Sequence, residues 1–335
     1  MKLNRLGNSG LLIGDLTLGT MTFGDTASAK DAGTMIAMFA DAGGNHIDTA
    51  NVYAEGRSEE IIGKIIAKKR TEFIVATKVR FPRGDGSNES GLSRRHILME
   101  VEASLKRMKT DYVDLLYLHG WDPLTPLPET LRACDDLITS GKARYLGVSN
   151  FSAWHIMKAL HYCEVNGWHR FIAAQYQYSL LVRDIEYEFI GLCQNEGIGL
   201  MPWSPLGGGF LSGKYNPGDA PKHGRIGRIG EETEEHWSRR NTDKNWQILS
   251  TVAEIATKHK VTHAQVALAW LRHRPTVSST IIGANTLEQL KDNLAAIHLD
   301  LDEEDTRKLD EVSSLREMYP YRFQEIYCNR TIQKA

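Results

Sequence analysis

Residues 73–119 read FIVATKVRFPRGDGSNESGLSRRHILMEVEASLKRMKTDYVDLLYLH, and this stretch sets the pattern for the chain. An apolar run at 73–77 is followed by Lys78, and a second run at 113–118 is followed by His119. Between them Ser93 stands where a helix N-cap belongs, three residues before His96. Ile97, Val101, Leu105 and Met108 follow at helical spacing. A short apolar run without alternation suits a strand covered on both faces. A helix between two such strands is the unit of a parallel sheet.

The rhythm extends in both directions. Runs at 16–19 and 45–48 come before, and runs at 143–148, 171–174, 199–201 and 279–282 come after, eight in all. Helical stretches are expected at 29–42, after Ser152 with Ile156, Ala159 and Leu160 inside, at 245–258 and at 286–295. Eight such units favour a closed (β/α)8 TIM barrel over an open doubly wound α/β sheet. The first run opens no G-x-G-x-x-G helix, since 18–24 read LGTMTFG. The first residues break the rhythm: 2–6, the turn Asn8-Ser9-Gly10 and 11–13 read as a β-hairpin that covers the barrel floor.

The length of 335 residues would allow two domains at about 150 residues each. No linker divides the chain, so one barrel domain over 1–335 is expected. It carries a long rim loop at 210–244 after strand seven and an aromatic tail at 314–335. Loops of that length are usually functional. The composition, 41% hydrophobic and 24% charged, excludes a wholly disordered chain. Forty basic against 42 acidic residues leave a charge of −2, with no surplus for nucleic acid or an anionic membrane. Cys134, Cys163, Cys193 and Cys328 are far apart, which reads as reduced thiols in a cytoplasmic protein. There is no apolar signal-like segment at the start and no run long enough to span a bilayer.

A barrel does its chemistry at the C-terminal ends of its strands. Asp48, Lys78 and His119 stand at three consecutive strand ends, and Tyr53 follows Asp48 in its loop. Each alone has an ordinary structural use as a cap, an ion pair or a packed ring. Together they suit reduction of a carbonyl. Tyrosine donates a proton to the oxygen if its pKa is lowered, lysine stabilises the phenolate, aspartate orients the lysine, and histidine polarises the oxygen. No metal is expected, because HExxH is absent and His46 with Asp48 is only an i,i+2 pair. No GxSxG elbow is present for acyl transfer.

These residues sit in stretches that resemble the aldo-keto reductase superfamily. They are GGNHIDTANVYAEGRSEEIIGK (43–64), VATKV around Lys78, LYLHGWD (116–122) and GKARYLGVSNFS (141–152). QYQYSLL (175–181), MPWSPLGGGFLSGKY (201–215) and IIGANTLEQLKDNL (281–294) complete the set, which covers almost the whole chain. The WSPL form resembles the branch with bacterial general reductases and potassium-channel β subunits. The resemblance implies a (β/α)8 barrel with a bottom hairpin and a catalytic tetrad of Asp48, Tyr53, Lys78 and His119. It implies that Ser149, Asn150 and Gln175 hold the nicotinamide carboxamide and that Trp203 lies beneath its ring. Ser204, Leu206, Gly207 and Gly209 would approach the pyrophosphate.

The resemblance also places Gly283, Gln289, Asp292 and Asn293 near the adenosine end. Many family members carry a lysine and an arginine at the places of Gly283 and Gln289 to grip a 2′-phosphate. Here Lys214, Arg225 and Arg228 in the long loop are the candidates for that charge. NADP (as NADPH) is the expected cofactor, ahead of NAD. The expected partner is a small aldehyde, ketone, dicarbonyl or sugar, with alcohol or sugar oxidation as the reverse direction and the oligomeric state left open. Trp121, Trp237, Trp246 and the tail are candidate substrate walls. The alternative reading is a nicotinamide-binding regulatory or sensor subunit with little turnover.

Overall fold

The chain opens with two short strands, β1 (Leu3–Arg5) and β2 (Leu12–Gly14), paired antiparallel. Strands and helices then alternate. The first half contains β3 (Leu16–Gly19), α1 (Ala29–Asp41), β4 (His46–Asp48), α2 (Arg57–Ile66), β5 (Ile74–Val79), α3 (Arg94–Met108), β6 (Val113–Leu118) and α4 (Leu127–Thr139). The second half contains β7 (Ala143–Ser149), α5 (Ala153–Asn166), β8 (Phe171–Gln177), α6 (Phe189–Glu196), β9 (Gly199–Trp203), α7 (Trp237–Arg240), α8 (Asp243–His259), α9 (His263–Arg272) and β10 (Thr280–Ile282). Helices α10 (Leu287–Ala295), α11 (Glu303–Val312) and α12 (Tyr321–Tyr327) finish the described chain. The structure is a computed structural model and describes residues 1–328. The last part of the expected tail, 329–335, lies outside the described residues.

The eight later strands form one parallel sheet in the order β10-β3-β4-β5-β6-β7-β8-β9. A parallel bridge between Leu200 and Val277 brings the two ends together. The result is a (β/α)8 barrel. Its helices begin where capping chemistry places them. Ser28, Ser93, Thr242, Thr262 and Thr286 each accept a hydrogen bond from the backbone N–H three residues on. Each such cap is worth about 1 kcal/mol.

The hairpin plugs the floor. Leu6 and Ile13 are fully buried and pack with Ala76, Leu115, Tyr117, Ala173, Met201 and Ile281 inside the barrel. Burial of a leucine or isoleucine stabilises by roughly 2 kcal/mol. Asn8 N–H donates to Gly197 O at 2.6 Å and Asn4 Nδ2 to Ser278 O at 2.9 Å, which fasten the hairpin to the barrel. Tyr117 fits the interior because Gly147 has no Cβ; one built there would lie 2.3 Å from the tyrosine ring.

Two expectations need correction. Strands β5, β8 and β9 run past their apolar stretches, so Lys78, Gln175 and Trp203 lie within strands. The long connection is not bare loop either. It has a 3-10 turn at Phe210–Ser212, helix α7, and a small core of Phe210, Tyr215, Ile226, Trp237 and Leu249 with Leu181 and Trp246 against it. Trp237 and Trp246 are therefore packing residues of this excursion. Their indole N–H groups bond to Gly218 O at 3.1 Å and Asn241 Oδ1 at 2.8 Å.

Candidate active site

Lysine 78 is the centre of the site. Its side chain has no solvent exposure. A buried ammonium needs every proton satisfied. Nζ donates to Asp48 Oδ2 at 2.5 Å, Thr49 O at 2.9 Å and Tyr53 Oη at 3.1 Å. Strand β4 supplies Asp48, β5 supplies Lys78, and the loop after β4 returns Tyr53 above them. That return needs a tight turn, and Ala54, Glu55 and Gly56 all have positive φ (47°, 57° and 85°). The turn is braced from behind. Asn51 Nδ2 donates to Glu100 Oε2 at 2.9 Å, Thr77 Oγ1 to Glu59 Oε1 at 2.6 Å, and Arg107 Nε to Glu59 Oε2 at 2.5 Å.

The charges explain the protonation states. Burial pushes the Tyr53 phenol above its ordinary 10.0, and the Lys78 ammonium offsets only part of this. The lowered phenol that would ease proton donation is not found; desolvation outweighs the lysine, so Tyr53 keeps its proton at neutral pH. Burial acts to lower Lys78, but the Asp48 carboxylate and Tyr53 outweigh it and hold Lys78 above its ordinary value. His119 is driven well below 6.5 by burial, helped by the charges of Lys78 and Arg80. It is a neutral ring, set edge-on to Tyr53 with centroids 6.2 Å apart and to Phe81 at 4.7 Å. Its Nδ1 is buried with no partner among the described residues.

Ser149, Asn150 and Gln175 stand beside these four. Asn150 has φ 55°, a conformation asparagine tolerates, and its Nδ2 donates to His119 O at 2.9 Å and Ser149 Oγ at 3.0 Å. Ser149 Oγ donates to Gln175 O at 2.8 Å. Gln175 Nε2 donates to Asp48 Oδ1 at 2.9 Å, a tie that sequence reading missed.

The strand-seven rim is built differently. Ser204 and Gly207, Gly208 and Gly209 all have positive φ. Gly208 N–H donates to Ser204 Oγ at 3.2 Å. Leu206 packs against the main core, and Trp203 against the barrel interior. A Cβ on Gly209 would lie 2.7 Å from Lys214 Nζ, so the lysine lies over the glycine turn. Buried Glu235 accepts from Ser204 Oγ and from Arg225 Nε, and Arg225 Nη1 reaches Met21 Sδ at 3.4 Å. Arg225 thus crosses from the strand-seven loop to the strand-one loop. Arg228 Nε donates to Gly224 O at 3.2 Å.

Arg240 was not foreseen. It is 3% exposed, lies beside Gly207, and its Nε and Nη2 have no partner among the described residues. Lys214 and Arg240 lie against this glycine turn and Arg225 is tied to it through Glu235; the unpaired buried N–H groups of Arg240 fit an anionic phosphate ligand. At the strand-eight end, Gly283 O accepts from Asn293 Nδ2 at 3.1 Å, and Gln289 Oε1 accepts from Asn285 N–H at 2.9 Å. Asp292 points elsewhere: it accepts from Thr262 Oγ1 at 3.0 Å and Gln265 Nε2 at 2.7 Å at the start of α9.

Of the remaining features, Cys134, Cys163 and Cys193 are buried free thiols, and Cys134 and Cys193 are pushed up to about 12 by burial. No described helix is long and apolar enough to cross a membrane. His46 is fully buried in the barrel, with Nδ1 2.9 Å from Thr17 Oγ1.

Fold and site together define a barrel enzyme whose mouth carries a protonated tyrosine held by a buried ion pair. The sequence model of the Aldo/keto reductase family matches residues 15–314. The chain belongs to that family and is an oxidoreductase of small carbonyl compounds. It is 39% identical over 302 residues to a protein of Arabidopsis thaliana named "Probable voltage-gated potassium channel subunit beta", covering 89% of this chain and 91% of that one. It is 36% identical to an uncharacterized oxidoreductase of Bacillus subtilis, over 93% and 96% of the two chains. It is 32% identical to versiconal hemiacetal acetate reductase of Aspergillus parasiticus, over 96% and 99%.

Proposed function

We propose that this protein reduces an aldehyde or ketone to the alcohol with NADPH, with Tyr53 as the general acid. The observation that carries the reading is Lys78 Nζ, held between Asp48 Oδ2 and Tyr53 Oη. A carbonyl oxygen at Tyr53 takes the phenolic proton as negative charge develops on it. The phenolate left behind faces a fully buried ammonium that cannot lose its place. Neutral His119 offers a ring N–H to the same oxygen without bringing charge of its own. All these groups are positioned before substrate arrives, so most of their contribution is orientation and preorganised charge.

The nicotinamide supplies hydride to the carbonyl carbon when it is bound. Ser149, Asn150 and Gln175 would hold its carboxamide and Trp203 its ring. Ser204, Leu206, Gly207 and Gly209 would face the pyrophosphate. Lys214, Arg225 and Arg228 would favour the additional phosphate of NADP over NAD; of the three, only Arg225 has a carboxylate partner among the described residues, Glu235. Gly283, Gln289 and Asn293 would border the adenosine end.

Consumption of NADPH and then NADH is the test, over aldehydes, dicarbonyls and sugars. Rapid turnover with NADPH is expected. Tight NADPH binding with negligible turnover of every carbonyl would favour the regulatory subunit reading, to which the name of the Arabidopsis relative also points.

A further inference from the structure

Arginine 80 lies two residues beyond Lys78, just past the end of β5, on the rim beside His119. It is half-buried, and its charge is felt by the His119 ring. One edge of its guanidinium is used: Nε donates to Trp121 O at 3.2 Å. Among the described residues, Nη1 and Nη2 have neither a hydrogen bond nor an ion pair. The carboxylate within electrostatic reach is Asp122, which makes no hydrogen bond or ion pair with Arg80 and is held by three other donors. It accepts from Leu92 N–H at 2.7 Å, Thr125 Oγ1 at 2.6 Å and Leu124 N–H at 3.0 Å.

An aromatic ring lies beside this free fork, and a second follows in the loop whose carbonyl Arg80 holds. The guanidinium carbon is 5.1 Å from the Phe81 ring centre, and Phe81 is 36% exposed while touching His119 edge-on. Trp121 is stacked flat on His155 at 3.7 Å and 15°, which fixes the indole beside the mouth. A rigid wall of flat rings with one unpaired planar cation recognises a flat molecule bearing a planar anion.

We propose that Arg80 is a substrate-binding residue and that this enzyme's substrates are carbonyl compounds carrying a carboxylate, with Phe81 and Trp121 flanking the body. This rests on the carbonyl-reductase reading above. The carboxylate pairs with Nη1 and Nη2 while the carbonyl oxygen lies at Tyr53 and His119. Lysine at position 80 would keep the charge and lose the two-pronged fit.

The test compares 4-carboxybenzaldehyde with 4-methylbenzaldehyde in the wild type, Arg80→Gln and Arg80→Lys, with NADPH. The wild type is expected to prefer the carboxylate by roughly tenfold or more in kcat/KM, mostly through KM. Arg80→Gln should bring the ratio to within about twofold of one, and Arg80→Lys should retain part of it. A wild-type ratio near one, or a ratio that survives Arg80→Gln, overturns the proposal. So does an equal loss on both aldehydes, which would assign Arg80 to tuning His119. If neither aldehyde is reduced, the failure belongs to the reductase reading, and binding decides the role of Arg80. Benzoate and benzamide are then titrated against tryptophan fluorescence. Tighter binding of benzoate that is lost in Arg80→Gln supports the assignment, and equal binding of the two overturns it.

Discussion

Gln175 and Asp48 stand on opposite walls of the barrel, on β8 and β4, and are joined by a 2.9 Å hydrogen bond from Nε2 to Oδ1. The other oxygen of Asp48 takes the lysine. The carboxylate is thus divided between an amide and an ammonium, and its angle to Lys78 depends on both. Gln175→Leu leaves a buried acceptor without its donor, at about 1–3 kcal/mol. The expected outcome is a fall in kcat of about tenfold with a lower melting temperature, while Gln175→Glu is worse because it sets two carboxylates together. Steady-state rates and thermal melts check this. An unchanged kcat in Gln175→Leu would show that Asp48 needs no second anchor.

The pH profile of reduction follows from the two perturbed rings. Tyr53 is raised above 10.0 by burial, so the acid stays protonated through the neutral range. His119 sits well below 6.5, so it does not gain charge there either. The kcat/KM for reduction is expected to be flat from about pH 6 to about pH 9 and to fall only at higher pH as Tyr53 loses its proton. An acid limb centred near 6.5 in the kcat/KM profile would contradict the neutral, desolvated His119.

His46 links stability to pH. Burial lowers it from 6.5 to about 4, and its Nε2 has no partner among the described residues. An unfolded chain protonates this histidine below 6.5, while the folded one resists until about 4. Between those values the unfolded state binds more protons, so stability rises with pH. The contribution is present in full above 6.5 and is lost as pH falls toward 4, by about 3 kcal/mol in all. Denaturant melts across this window should show the slope, and His46→Gln should reduce it, leaving the part that His119, also lowered by burial, contributes. An identical slope in the variant would place the acid sensitivity elsewhere.

Arg225 is clasped by Glu235 and spans to Met21 across the mouth. If it reads the additional phosphate of NADP, Arg225→Gln should weaken NADPH by roughly tenfold or more and NADH by less than about threefold. Fluorescence titration of each nucleotide measures both. Equal weakening would mean that Arg225 holds the loop rather than the phosphate.

How much of this was legible in the sequence depends on the range of the interaction. The eight strands were readable because both faces are covered and the apolar runs are unbroken. The C-terminal ends of β8 and β9 were not, because Gln175 and Pro202 interrupt the apolar signal where function begins. Asp48, Lys78 and His119 were legible as polar residues placed at strand ends one unit apart. The Gln175–Asp48 bond joins positions 127 residues apart and leaves no local pattern. The Glu235–Arg225 clasp lies in a loop with no period to read. Arg80 did have a signal, its place two residues after Lys78, just past the end of β5 on the same rim. Trp237 and Trp246 were ambiguous because an aromatic in or beside a long loop packs or binds equally well until the loop is seen to have its own core.

The proton-donor role of Tyr53 is tested most directly by Tyr53→Phe, measured for turnover of an aldehyde with NADPH and, in parallel, for NADPH affinity by fluorescence titration. Phenylalanine keeps the ring above Lys78 and removes only the hydroxyl that meets Nζ. Turnover should fall by about 10²-fold to 10⁴-fold while the Kd for NADPH stays within about twofold. Retained turnover would contradict the role of Tyr53 as the acid, and a parallel loss of NADPH binding would show that the hydroxyl serves the cofactor instead.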